Sequence, residues 1–145
     1  MSEIFFSESE KQTEETGFSL AGQGKIKFGD IVALSGGLGA GKTAFTRGLV
    51  SFFSPVPRVT SPTFSLVNEY RVNGGRIFHF DMYRINSEDD LLSIGFYDYL
   101  ETGGLVIIEW FDTIADFFDE NTVNIEIVKS EGDRRKIVFD RMENR

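Results

Sequence analysis

Apolar positions fall along this chain in short blocks with two different periods. Ile31-Val32-Ala33-Leu34 and Leu105-Val106-Ile107-Ile108 are uninterrupted apolar runs, the pattern of strands buried on both faces of a parallel sheet. From Lys42 onward, Phe45, Leu49, Phe52 and Phe53 recur at helical spacing. Ser54-Pro55-Val56-Pro57 ends that helix, because proline lacks the amide donor and clashes with the preceding turn. Residues 64–71 and 76–80 read as strands joined through Val72-Asn73-Gly74-Gly75, a strong hairpin signal. Residues 123–128 and 136–139 form a final hairpin about Gly132-Asp133. At the amino end, Ser7 and Glu10 form an S-x-x-E capping box that predicts a helix to about Leu20. Ser87 with Asp90 caps a short helix through Leu91, Leu92 and Ile94. With no internal repeat, low-complexity tract or linker, the expectation is a single α/β domain over residues 1–145.

Composition narrows the chemistry. The chain has 145 residues, of which 41% are hydrophobic and 15 are Phe, too apolar for a disordered segment and long enough for one core. It has no cysteine and one histidine, which excludes a disulfide scaffold, a thiolate metal site and a histidine-rich zinc site. The net charge of −8 disfavours autonomous binding to a phosphate backbone. No apolar run has the length of a membrane span, and the acidic start is unlike a secretory signal, so cytoplasmic residence without membrane association is the expectation.

Gly36-Gly37-Leu38-Gly39-Ala40-Gly41-Lys42-Thr43 matches G-x-x-x-x-G-K-[ST] in full. Glycines permit positive φ and let main-chain amides converge on phosphate oxygens. The helix starting near Lys42, with Ala44 in its first turn, adds unpaired donors and a partial positive charge. In this motif Lys42 bridges the β- and γ-phosphates and the Thr43 hydroxyl ligates Mg²⁺. The alternative, a glycine-rich turn with an exposed lysine, is disfavoured by the setting between an apolar strand and a helix. The fold class that follows is a P-loop NTPase three-layer sandwich, with a mainly parallel central sheet and antiparallel hairpin strands.

Magnesium needs a second anchor at a strand end beside the loop. Glu109 and Asp81 both qualify. Glu109 follows the more uniformly apolar run and is assigned to the metal. Asp81 is assigned to the water network or the positioning of the nucleophile. Each is otherwise an ordinary solvated carboxylate. Thr60, Ser61 and Thr63 lie where such proteins place a loop that senses the γ-phosphate, or form a plain proline turn. His79, alternating with Phe78 and Phe80, reads as packed rather than catalytic. Trp110 is equally a core residue, an aromatic lid or a partner anchor. No N-K-x-D motif occurs to read guanine, so adenine is the default base.

Several blocks together resemble the bacterial TsaE (YjeE) family. They are Gly39-Ala40-Gly41-Lys42-Thr43 with Arg47-Gly48-Leu49, Ser61-Pro62-Thr63-Phe64 with Leu66-Val67-Asn68-Glu69-Tyr70, and His79-Phe80-Asp81-Met82-Tyr83-Arg84. Gly95 with Asp98-Tyr99 and Ile108-Glu109-Trp110 complete the set. Met82 replaces the commoner leucine, and Phe111 the usual proline or small residue. The resemblance implies a small ATPase, using ATP and Mg²⁺, that serves N6-threonylcarbamoyladenosine formation in tRNA. It would act on a TsaB–TsaD complex and meet tRNA only indirectly. It further implies that Thr43 and Glu109 hold magnesium, that residues 36–43 cradle the phosphates, and that Asp81 is essential to hydrolysis. Glu10, Thr13 and Arg134 would lie near the adenine.

A chain this short has few residues to spare for an arginine finger, a group worth about 10³–10⁵ in rate, so hydrolysis by the isolated chain is expected to be weak and partner-stimulated. Two alternatives stand beside this reading: a nucleotide-dependent docking switch with incidental hydrolysis, and a small-molecule kinase.

Overall fold

The computed structural model describes residues 2–37, 39–54, 59, 67–81, 87–109 and 122–141. Among them the order of elements is β1 (Ser2–Ser7), α1 (Glu10–Gly22), β2 (Ile31–Ser35), α2 (Lys42–Phe53), β3 (Val67–Val72), β4 (Gly75–Asp81), α3 (Glu88–Ser93), α4 (Phe96–Glu101), β5 (Leu105–Glu109), β6 (Thr122–Lys129) and β7 (Arg135–Arg141). The strands make one seven-stranded sheet in the order β1-β7-β6-β2-β5-β4-β3. Its four central strands are parallel. Antiparallel strands flank them on both sides, β3 against β4 at one end and β7 and β1 at the other.

Alternation along the strands sends neighbouring apolar residues to opposite faces. Val32, Leu34, Leu105, Ile107, Val123 and Ile125 pack with Leu20 of α1 and Phe45, Leu49 and Val50 of α2. Ile31, Val106, Ile108, Phe78 and Phe80 face the other way, against Phe96 of α4. There the rings of Phe80 and Phe96 meet edge to face at 5.2 Å. This is the expected three-layer sandwich, and the uninterrupted apolar runs are the central strands because both of their faces are covered.

Helices α1 and α2 touch backbone to backbone. A Cβ on Gly48 would lie 1.8 Å from the Glu14 carbonyl oxygen, so only glycine fits that crossing. The contact carries the start of α1 over the start of α2.

Three elements differ from the sequence reading. The chain begins with a strand, β1, rather than going straight into a helix. Helix α1 is capped by Ser9, whose side chain accepts from the Gln12 amide at 3.1 Å. Ser7 instead closes β1, and its hydroxyl is taken up by the Ser9 carbonyl oxygen and by Thr13 Oγ1. The short helix after Ser87 ends at Ser93, and Gly95, with φ of 74°, turns the chain into a second one. No helix among the described residues is long and apolar enough to cross a membrane.

Candidate functional site

Strand β2 delivers the chain into the glycine-rich loop, and α2 takes it out. Gly41 sits at the helix start with φ of 110°, a left-handed value that a side chain disfavours. Lys42 is buried, and its Nζ donates to the carbonyl oxygens of Gly36 at 2.8 Å and Gly37 at 3.2 Å. The loop is therefore wrapped around its own lysine.

Beside it lies a cavity of about 530 Å³. Its wall includes Gly39, Ala40, Gly41, Lys42, Thr43 and Ala44 from the loop and α2, and Glu109 from the end of β5. Glu10 and Thr13 of α1 close another side. Thr43 and Glu109 thus share one chamber, as do Glu10 and Thr13, which come from 30 or more residues earlier in the chain. Gly36 and Gly37 are not in the wall; their carbonyl oxygens accept from Lys42 instead.

Glu109 sits opposite Leu34 on β2 and opposite Asp81 on β4 in the parallel register. The backbone therefore brings the ends of the two carboxylate-bearing strands side by side. The side chain of Asp81 lies outside the described residues, as do Leu38, Thr60, Ser61, Thr63 and Trp110. Glu109 is itself buried, and its Oε2 lies 2.6 Å from His79 Nε2. His79 is packed, as read from the sequence, but it also grips the site's carboxylate.

Arg134 is exposed, 3.9 Å from Glu8, and lines a neighbouring cavity with Phe6 rather than the chamber at the loop. The next residue, Arg135, is the one that reaches the loop. Its Nε donates to the Ala40 carbonyl oxygen at 2.9 Å and its Nη2 to that of Gly39 at 3.3 Å. No local pattern marks it, since its partners lie 95 and 96 residues away in sequence. Arg47, also in the wall, pairs with Glu14 and, at 3.1 Å, with Glu10. Its hydrogen bonds to the carboxylates of Glu14 and then Glu10 raise its already high pKa.

Thr43 and Glu109 offer a hydroxyl and a carboxylate, hard oxygen donors of the kind magnesium prefers, with room left for phosphate and water. Among the described residues no cluster of three or more His, Asp or Glu side chains forms an all-protein metal cage. A metal shared with a phosphate ligand fits this donor set better than a resident structural ion does.

A buried parallel strand, a glycine-rich loop, a helix start carrying Lys-Thr and a carboxylate on the adjacent strand end define an α/β protein of the P-loop NTPase fold. The family model described as "Threonylcarbamoyl adenosine biosynthesis protein TsaE" matches residues 7–137, and the chain belongs to the TsaE family. Its relatives include the tRNA threonylcarbamoyladenosine biosynthesis proteins TsaE of Rickettsia conorii and Bacillus subtilis. The first is 32% identical over 139 residues, covering 94% of this chain and 78% of the relative. The second is 34% identical over 119 residues, covering 82% and 74%. The crystal structure of Bacillus subtilis YdiB matches with a TM-score of 0.80 at 26% identity, over 99% of this chain and 88% of that one.

Proposed function

We propose that this chain is the ATP-binding and ATP-hydrolysing accessory component of N6-threonylcarbamoyladenosine formation in tRNA, acting on a TsaB–TsaD complex. The observation that carries the reading is the meeting of Lys42, Thr43 and Glu109 in one chamber at the ends of two adjacent parallel strands. Main-chain amides of the loop and the start of α2 would receive the phosphates, the setting in which anions bind helix starts. Lys42 would exchange its two carbonyl partners for phosphate oxygens, which suits a loop that stays folded without ligand. Thr43 and Glu109 would hold magnesium, which when bound supplies charge neutralisation for the transferring phosphoryl group. Asp81, opposite Glu109 in the register, would position the attacking water.

The test is nucleotide titration followed by hydrolysis, each with and without TsaB–TsaD. Lys42→Ala is expected to weaken ATP binding by about 10-fold or more, since a hydrogen bond to a charged partner is worth about 1.5–3 kcal/mol. Unchanged affinity in Lys42→Ala would refute the site, and equal turnover with and without the partner complex would refute the accessory role.

A further inference from the structure

We propose that His79, steadied by Tyr70, is a positioning residue for Glu109: it fixes one carboxylate oxygen so that the other is presented to the chamber. The proposal rests on the reading of Glu109 as the metal-holding carboxylate.

Three adjacent strands supply the three side chains. Tyr70 comes from β3, His79 from β4 and Glu109 from β5. Tyr70 pairs with Ile77, and His79 with Ile107. Each link is therefore a diagonal between same-face positions two residues apart, within the reach of long or aromatic side chains. His79 Nε2 lies 2.6 Å from Glu109 Oε2, and His79 Nδ1 lies 3.4 Å from the Tyr70 hydroxyl. His79 has 0% exposure, Glu109 4% and Tyr70 8%. The contact is thus shielded from bulk solvent.

The chemistry assigns direction. An ionised carboxylate only accepts, so His79 Nε2 carries the hydrogen and donates it to Glu109 Oε2. Nδ1 is then left with a lone pair and accepts from the Tyr70 hydroxyl. A carboxylate pinned through one oxygen has one ring-defined orientation instead of several rotamers. Glu109 Oε1 has no hydrogen-bond donor among the described residues, and Glu109 lines the chamber. Imidazole–carboxylate contacts of this kind orient metal ligands elsewhere, and their removal costs about 10- to 100-fold in metal affinity.

Two measurements test this. His79 is the one histidine in the chain, so a long-range ¹H–¹⁵N spectrum of the metal-free, nucleotide-free protein reports on it alone. The expected result is the Nε2–H tautomer with a downfield proton, lost or moved in Glu109→Ala. The Nδ1–H tautomer, or a spectrum indifferent to Glu109→Ala, overturns the proposal. The second measurement titrates magnesium against nucleotide binding in His79→Leu and His79→Gln. His79→Leu is expected to raise the half-saturating magnesium concentration about 10- to 100-fold, with magnesium-free nucleotide affinity unchanged. His79→Gln, which keeps an N–H donor, is expected to return most of the loss. Equal behaviour of the two variants overturns the proposal. A parent protein that binds no nucleotide in any condition refutes the ATP-site reading instead, while the spectrum still judges the His79–Glu109 contact.

Discussion

Adjacent arginines at the turn into β7 separate two views of the chamber beside the glycine-rich loop. Arg135 donates to the carbonyl oxygens of Ala40 and Gly39, whereas Arg134 faces Glu8 at 3.9 Å and lines a different cavity. In Arg135→Ala the loop loses two hydrogen bonds from a charged donor. Such bonds are worth about 1.5–3 kcal/mol each when well formed and shielded, but here one is long and the side chain is half-buried. A net loss of about 1–2 kcal/mol follows. It falls on the loop's preorganisation, because ordering the loop then has to be done by the ligand. Nucleotide affinity is therefore expected to drop about 5- to 30-fold in Arg135→Ala, and to change little in Arg134→Ala. Calorimetric titration with ATP and magnesium measures both. Arg135→Lys separates charge from geometry: a lysine has no planar fork to span two neighbouring carbonyls, so it restores only part of the loss. If Arg134→Ala weakens binding while Arg135→Ala does not, the contact of Arg135 with the loop carbonyls does not order the chamber.

Two further predictions concern the frame around the site. Gly48→Ala places a methyl group 1.8 Å from the Glu14 carbonyl oxygen, a backbone atom that cannot swing away. Overpacking of about 1–3 kcal/mol or more should outweigh the roughly 1 kcal/mol helix-propensity gain, so a denaturant melt should show net destabilisation; a more stable variant would contradict the close crossing of α1 and α2. Asp30 is buried and bound by Arg141 at 2.8 and 3.1 Å, tying the end of β7 to the entrance of β2. Asp30→Ala should cost about 2–3 kcal/mol and lower Tm by about 6–12 °C, somewhat less than a fully buried pair because Arg141 is partly exposed. Donating to the Asp30 carboxylate raises the Arg141 pKa above its usual strongly basic value. With the folded value raised, the arginine's contribution is fully present below the unfolded pKa and is lost only as pH rises through the folded one. A stability loss near neutral pH that disappears in Arg141→Ala would contradict this.

What could be read in advance was what the chain states locally. The loop at 36–43, the apolar run before it and the helix after it occupy one continuous stretch, so a single window held strand, loop and helix start. Glu109 was legible for the same reason, standing directly after four apolar residues. Strand β1 was not, because its pattern is inverted. Ile4 is 52% and Phe6 77% exposed, while Glu3, Phe5 and Ser7 face inward. Alternation there turned one apolar residue, Phe5, inward and two outward, and the serine that closes the strand mimicked a helix cap. His79 was correctly read as packed, but its bond to Glu109 spans 30 residues and depends on the register of two parallel strands. Register between non-neighbouring segments leaves no mark in a single sequence.

The sheet order explains why the chemistry collects where it does. Because β2 lies between β5 and β6, the loop leaving its end is walled on both sides before any side chain is considered. On the β6 side the fit is tight: a Cβ on Gly36 would lie 2.5 Å from the Ile127 carbonyl oxygen. The loop is consequently held against β6 and turned back over the start of α2. On the β5 side the same geometry sets Glu109 level with Leu34, the last fully buried residue before the loop. The hairpin that continues from β6 then brings Arg135 onto Ala40 from above. A carboxylate on one flank and a guanidinium on the other are consequences of where β2 inserts. The glycine motif gains a carboxylate neighbour and a guanidinium brace from segments far away in the sequence.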